Sequence, residues 1–254
     1  MKYAIKHLVL FLVLIVSYSC KNSTEPEKPK KEIPYMSLHV GDIRQFYEET
    51  GATYFQWQIL DTTKRSDRQK VFKLEEVLFL PEGYYKAILY CYIKNNYYII
   101  TNIDTVANHK LGAIGKTISA KYNEQKLATI EPKNGDIFLR NEEANDSIKV
   151  YFRVSFVDSI STQCGVFKTV AQNEMIHSNN SWKQKIYYAP RFGFIGSSIE
   201  NNGIKTKILA TYLKVNGVEI GNYMPLVTWK MNNNKYLDKK NIPLSIKTII
   251  GSAK

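Results

Sequence analysis

The feature that most limits what this chain can fold into is a period of two in its apolar residues. Ile148, Val150, Phe152, Val154 and Phe156 alternate with Lys149, Tyr151, Arg153 and Ser155. Successive side chains of an extended strand point to opposite faces, so this pattern gives one apolar face and one wet face. Similar runs occur at Ile43 to Glu49, Tyr54 to Leu60, Val71 to Phe79, Tyr84 to Lys94 and Tyr97 to Ile103. They continue at Ile137 to Arg140, Gly165 to Ala171, Lys183 to Ala189, Phe192 to Glu200 and Lys205 to Val215. The runs are rich in Tyr, Phe, Ile and Val, which suit a pleated and half-buried surface.

The connections point the same way. Asn95-Asn96 joins two Tyr-rich runs, Asn201-Asn202-Gly203 joins two more, and Asn216-Gly217 separates Tyr212 to Val215 from Val218 to Ile220. Asn and Gly tolerate the positive φ that both central residues of a type I′ hairpin turn require. Two-residue connections permit only antiparallel neighbours. The expectation is therefore an all-β antiparallel meander of about eleven strands forming a curved open sheet or half-barrel, with a two-sheet β-sandwich as the alternative. Lys121 to Thr129 is the one stretch that reads as a short helix. Tyr84, Tyr85, Tyr90, Tyr92, Tyr97 and Tyr98 fall on both faces of adjacent strands, so some of these rings must lie outside a single core.

The first twenty residues carry a different signal. Lys2 and Lys6 precede the apolar run Leu8 to Val16, and Ser17-Tyr18-Ser19 leads to Cys20. A basic start, a short apolar core and small residues at a cut site make a secretory leader, and nine apolar residues are too few to cross a bilayer. With a cysteine at the junction, residues 1–19 resemble the signal peptide of bacterial lipoproteins. Ser19 and Cys20 fit that pattern, whereas Ser17 and Tyr18 replace the usual aliphatic and small residues. The resemblance implies acylation of Cys20, with palmitate among the acyl chains, and a cell-envelope location. With no Asp after Cys20, it implies the outer membrane, on its periplasmic or surface face. Residues 21–33 hold one apolar residue, two prolines and many charges, so residues 20–33 read as a lipidated Cys and a semi-extended tether. Residues 34–222 then form the β-domain, and 223–254 a C-terminal extension that packs on it or meets a partner.

Charge and cysteine content add boundaries. The formal charge of +12 falls to +10 once residues 1–19 are removed. A basic surface can meet anionic head groups or acidic glycans, and its field is weakened by salt. The cations are spread along the chain, so no nucleic-acid partner is expected. The densest cluster is Lys64, Arg65, Arg68 and Lys70, which reads as a hairpin tip or loop. Beyond Cys20 the cysteines are Cys91, inside the apolar run Ala87 to Ile93, and Cys164, beside Gly165; one disulfide is open to them.

The catalytic patterns in the chain are incomplete. Gly112 to Thr117 ends like a phosphate-binding loop, but Lys110 stands where the first glycine belongs. Gly193 to Ser198 lacks the strand-to-helix elbow of a serine hydrolase, so Ser197 is not assigned as a nucleophile. His39, His109 and His177 lie about seventy residues apart, without ligand spacing. Glu75-Glu76 and Glu142-Glu143 put adjacent carboxylates on opposite strand faces, which separates them. No catalytic residue, cofactor or metal site is assigned, and Cys20 is the one site residue.

Two further motifs resemble a broad group of poorly characterised, Bacteroidota-like surface or periplasmic lipoproteins. The first is Tyr35 to Asp42 followed by Phe46-Tyr47, and the second is Tyr187-Tyr188-Ala189-Pro190-Arg191-Phe192-Gly193-Phe194-Ile195. Ser37, Asp42, Phe46 and Arg191 depart from the group's residues. The resemblance implies an exported β-domain and carries no catalytic machinery. Pro190 should block strand pairing and Gly193 should permit a close backbone approach or a bulge. The reading is a membrane-anchored, non-enzymatic envelope lipoprotein. Its partners are membrane lipid, through acylated Cys20, and a hydrophobic or glycan ligand or a structural role. A hydrolase of envelope polymers is the competing reading.

Overall fold

The structure is a computed structural model, and it describes residues 34–48, 53–64, 68–80, 83–102, 124–140, 150–177, 182–201 and 203–225. The leader, Cys20 and tether, residues 226–254, His109, Gly112 to Thr117, and Glu142-Glu143 lie outside these residues, as does the side chain of His177. No helix occurs among the described residues.

The chain forms β1 (Ile43–Glu48), β2 (Tyr54–Lys64), β3 (Lys70–Leu80), β4 (Gly83–Lys94), β5 (Tyr97–Asn102) and β6 (Gln125–Thr129). It continues with β7 (Ile137–Leu139), β8 (Val150–Thr162), β9 (Gly165–His177), β10 (Trp182–Ala189), β11 (Gly193–Asn201), β12 (Ile204–Val215) and β13 (Val218–Gly221). The strand order is β6-β5-β4-β3-β2-β1-β12-β11-β10-β9-β8-β7, with β13 paired to β12. Every neighbouring pair is antiparallel. Two meanders thus run away from the central β1–β12 pair, and the sheet curls until it is nearly closed into a barrel with one seam, between β6 and β7. Closure leaves few free strand edges, which stabilises a sheet this large against further pairing.

The seam is stitched rather than laddered. The Lys126 amide donates to the Arg140 carbonyl at 2.7 Å, and Arg140 Nη2 donates to Gln125 Oε1 at 2.8 Å. A helix is expected over Lys121 to Thr129; residues 121–123 lie outside the described residues, and over Gln125–Thr129 the β6 strand corrects it. Gln-Lys-Leu-Ala-Thr has good helix formers, but pairing with β5 and closure on β7 override that weak preference. The hairpin turns follow the sequence: Asn95 and Asn96 have φ of 50° and 66°, and Asn216 and Gly217 have 49° and 76°.

One large core fills the barrel. Phe46 stacks on Phe55 with ring centroids 4.5 Å apart, Phe194 lies 4.7 Å from Phe46 and 5.0 Å from Trp57, and all four rings are buried. The tyrosines divide between faces as their alternation requires. Tyr85 and Tyr98 belong to the main core, Tyr84 packs on a second cluster with Tyr54, Val77 and Phe79, and Tyr90, Tyr92 and Tyr97 join a third with Val71 and Ile99. Gln45 and Gln56 bond each other at 2.8 Å on the outer face beside the second cluster. Gln45 also holds the Met224 backbone through Oε1 and Nε2, at 2.9 and 2.7 Å, so the start of the C-terminal extension lies across β1.

Both remaining cysteines are free thiols. Cys91 is buried and Cys164 half-buried, and burial raises their pKa values to about 12 and about 11. Ser197 is buried in β11 between Ile186 and Ile208, away from any turn.

Candidate functional site

The chain reaches β1 by crossing one end of the barrel, and this crossing builds the site. The Arg191 amide donates to the Pro34 carbonyl at 3.0 Å, the Tyr35 hydroxyl donates to the Thr169 carbonyl at 2.8 Å, and the Tyr98 hydroxyl donates to the Met36 carbonyl. Met36 and Leu38 are buried in the main core. Residues 34–42 therefore touch β5, β9 and the β10–β11 turn and act as a plug. Gly193 is what lets it in: its φ is +74°, and a Cβ there would stand 3.0 Å from Met36 Cγ.

The two motifs singled out in the sequence meet here. Arg44 Nε donates to the Phe192 carbonyl at 3.2 Å and Nη2 to the Ser37 carbonyl at 3.4 Å, so one buried guanidinium joins both segments. Asp42 faces it, with Oδ2 3.8 Å from Arg44 Nη2. That carboxylate also accepts the His39 amide at 3.2 Å through Oδ2 and the Asn216 amide at 2.9 Å through Oδ1. Burial lowers the Arg44 pKa from its ordinary value, and the Asp42 charge opposes the shift. A desolvated pair of this kind holds geometry: its charges are costly to bury and are retained only with their hydrogen bonds in place. In the sequence Asp42 stands only as a departure from a motif, and the signal for Arg44 is its place on the apolar face of β1, beside Phe46.

Beside the plug opens a cleft of about 500 Å³ lined by Leu38 to Asp42, Lys70, Phe72, Lys214, Asn216 and Gly217. Its cations differ in freedom. Lys214 is paired with Glu219 at 2.7 Å, while Lys70 extends over the Phe72 ring at 4.9 Å. The basic cluster expected on a hairpin tip is there: Lys64 pairs across from Lys70, and Arg68 has φ of 64°, while Arg65 lies outside the described residues. An aromatic floor, lysines and a histidine suit a hydroxylated or anionic group at the rim of the barrel.

No protein-family profile matches the chain, and no curated protein matches it. Among solved structures it is similar to a protein of Parabacteroides distasonis ATCC 8503 named as a lipoprotein, at 14% identity and a TM-score of 0.43, covering 73% of this chain and 100% of that one. It is also similar to a protein of Bacteroides fragilis NCTC 9343 named as an exported protein with a YmcC-like fold, at 12% identity and a TM-score of 0.41, covering 70% and 97%. At those scores the class is defined by this chain's own geometry, an antiparallel meander barrel whose mouth is plugged by the segment that leads into β1.

Proposed function

We propose that this chain is a lipoprotein of the bacterial cell envelope, anchored in the outer membrane through acylated Cys20, with the barrel serving as a non-enzymatic binding or structural module. The observation that carries the reading is the leader ending at Cys20, followed by a polar tether that delivers the chain to Pro34. The barrel interior is filled with stacked aromatic side chains, which favours the rim cleft, with Lys70 and Phe72, as the place for a glycan or amphipathic ligand.

The test is metabolic labelling with palmitate in the native type of host. Wild-type chain should take up label and partition into detergent, and Cys20→Ala should do neither. Label retained by Cys20→Ala would sink the anchoring reading. Native mass spectrometry of the same material tests the binding role: an extra mass released on denaturation supports a ligand, and a bare chain shifts the role to structure.

A further inference from the structure

We propose that the plugged end of the barrel is a docking surface for an anionic lipid bilayer, so that the domain sits end-on against the membrane that holds it. The inference rests on the anchoring reading above and adds an orientation and a lipid class.

The first observation is apolar. In an antiparallel meander alternate turns gather at the same end, and the turns after β2, β4, β6, β8, β10 and β12 share the end closed by the plug. Val40, Ile93, Ile137 and Val166 all stand at that end, and each is among the large apolar side chains exposed to solvent, from 40 to 64%. Of the other large apolar side chains exposed among the described residues, Ile204 stands at the far end, Phe156 within β8, and Tyr223 and Met224 after β13. Scattered exposed apolar residues are ordinary, but their collection on the turns of one end is not.

The second observation is charge. Lys64, Arg68 and Lys70 are exposed on the β2–β3 hairpin at this end, with Lys94 and Arg191 on neighbouring turns. Lys94 is engaged with Glu124 at 3.6 Å, and Asp61 is the exposed acid on the adjoining part of β2. Glu131, Asp136 and Glu219 stand on other turns of this end beside Lys133 and Lys214, so the excess positive charge lies on the β2–β3 side. Cations beside exposed aliphatic side chains are what a head-group layer attracts.

The third observation is where the tether ends. Fourteen residues, Cys20 to Ile33, precede the barrel, and the chain enters it at Pro34, in the plug, so the plugged end is the one to which the anchor is directly joined.

The whole mature chain, residues 20–254 carrying Cys20→Ser and therefore no acyl chain, should be floated with vesicles of pure phosphatidylcholine or of equal phosphatidylcholine and phosphatidylglycerol. Capture by the anionic vesicles alone, weakening with salt, is expected. The triple variant K64Q/R68Q/K70Q should weaken it by roughly a hundredfold, at about fivefold per charge. Ile137→Ser with Val166→Ser should lower the part of binding that survives high salt. The far-end variant K183Q/K185Q/K205Q should bind as the parent does. No capture, equal capture by both vesicles, or an equal loss in the far-end variant would overturn the proposal. Retention on soluble alginate with none on vesicles would overturn it in favour of a glycan ligand. Because no acyl chain is present, failure here leaves the palmitate result standing, and failure of labelling leaves this measurement intact.

Discussion

The Tyr188 hydroxyl, on β10, donates a 3.0 Å hydrogen bond to the carbonyl of Leu127, on β6, and Asn173 Nδ2 on β9 donates to the same oxygen at 3.0 Å. Leu127 is the residue skipped where the β5–β6 register shifts, between the pairs Tyr98–Ala128 and Ile99–Lys126. A bulge leaves a carbonyl outside the ladder, and a buried carbonyl needs a donor. Two side chains from across the seam supply it and so hold β6 against β9 and β10. Tyr188→Phe should lower stability by about 1 kcal/mol, because Asn173 still satisfies the oxygen. Adding Asn173→Leu should cost more than the two single changes together, since only the double variant leaves the oxygen without either donor. Urea unfolding of the four proteins reads the coupling, and simple additivity would show that the two bonds act independently.

Arg44 and Asp42 make the plug sensitive to one substitution. Arg44→Met leaves the Asp42 carboxylate buried without its cation and should cost about 3–5 kcal/mol. Changing Asp42→Asn in the same chain should return part of that loss. Thermal unfolding of the single and double variants checks it, and a double variant no more stable than Arg44→Met would mean that the guanidinium acts through its bonds to Phe192 and Ser37 rather than through charge.

Much of this barrel was readable from its alternation and its turns. Ile43 to Glu49, Tyr84 to Lys94 and Lys205 to Val215 became β1, β4 and β12 with small boundary changes, because period-two patterns and Asn-rich turns act locally. Pro190 sits in the turn and Gly193 at a close approach, as their chemistry requires. The order of strands was not readable: that β1 pairs β12 depends on contacts between residues such as Arg44 and Leu213, which no local pattern announces. The helix expected near Gln125 failed for the same reason, since its strand state comes from β5 and β7. β8 and β9 run on to Thr162 and His177 because they pair mainly with each other, through polar residues that blur the alternation. Of the site, the two motifs were visible, but their meeting through Arg44 was not.

Alkaline pH should unfold the domain through its buried acids. Burial raises Cys91 from 9.0 and Tyr98 from 10.0, each to about 12, and Cys164 to about 11. In the unfolded chain these groups lose protons earlier, so the folded state binds more protons above pH 9 and stability falls as pH rises. Each group contributes up to about 1.4 kcal/mol per pH unit between its two pKa values. Arg140, lowered to about 10 by burial, acts in the opposite direction between pH 10 and its ordinary value of 12.5. Stability measured in urea should therefore be level up to about pH 9 and decline from there, and Cys91→Val should shallow the first part of that decline. An unchanged slope in the variant would remove Cys91 from the explanation.

Two glycines hold strands closer than any side chain allows. A Cβ on Gly196 would stand 2.5 Å from the Ile208 carbonyl oxygen, and one on Gly221 would stand 2.2 Å from the Thr211 carbonyl oxygen and 2.9 Å from Cys164 Sγ. Backbone atoms cannot rotate aside, so Ala at either position must separate the strands, on top of the strain of φ +149° and +84°. Gly196→Ala, at the Gly196–Leu209 pair where the β11–β12 ladder begins inside the sheet, should cost at least about 2 kcal/mol of global stability. Gly221→Ala acts at the sheet margin, where β13 ends and the chain turns toward Met224, so its effect should be local. Hydrogen exchange should show faster exchange at Asn222, whose amide donates to Thr211, and at Met224, whose amide donates to Gln45. The β1–β12 ladder should keep its protection. Equal loss of protection along both would show that β13 and the tail unfold together with the barrel.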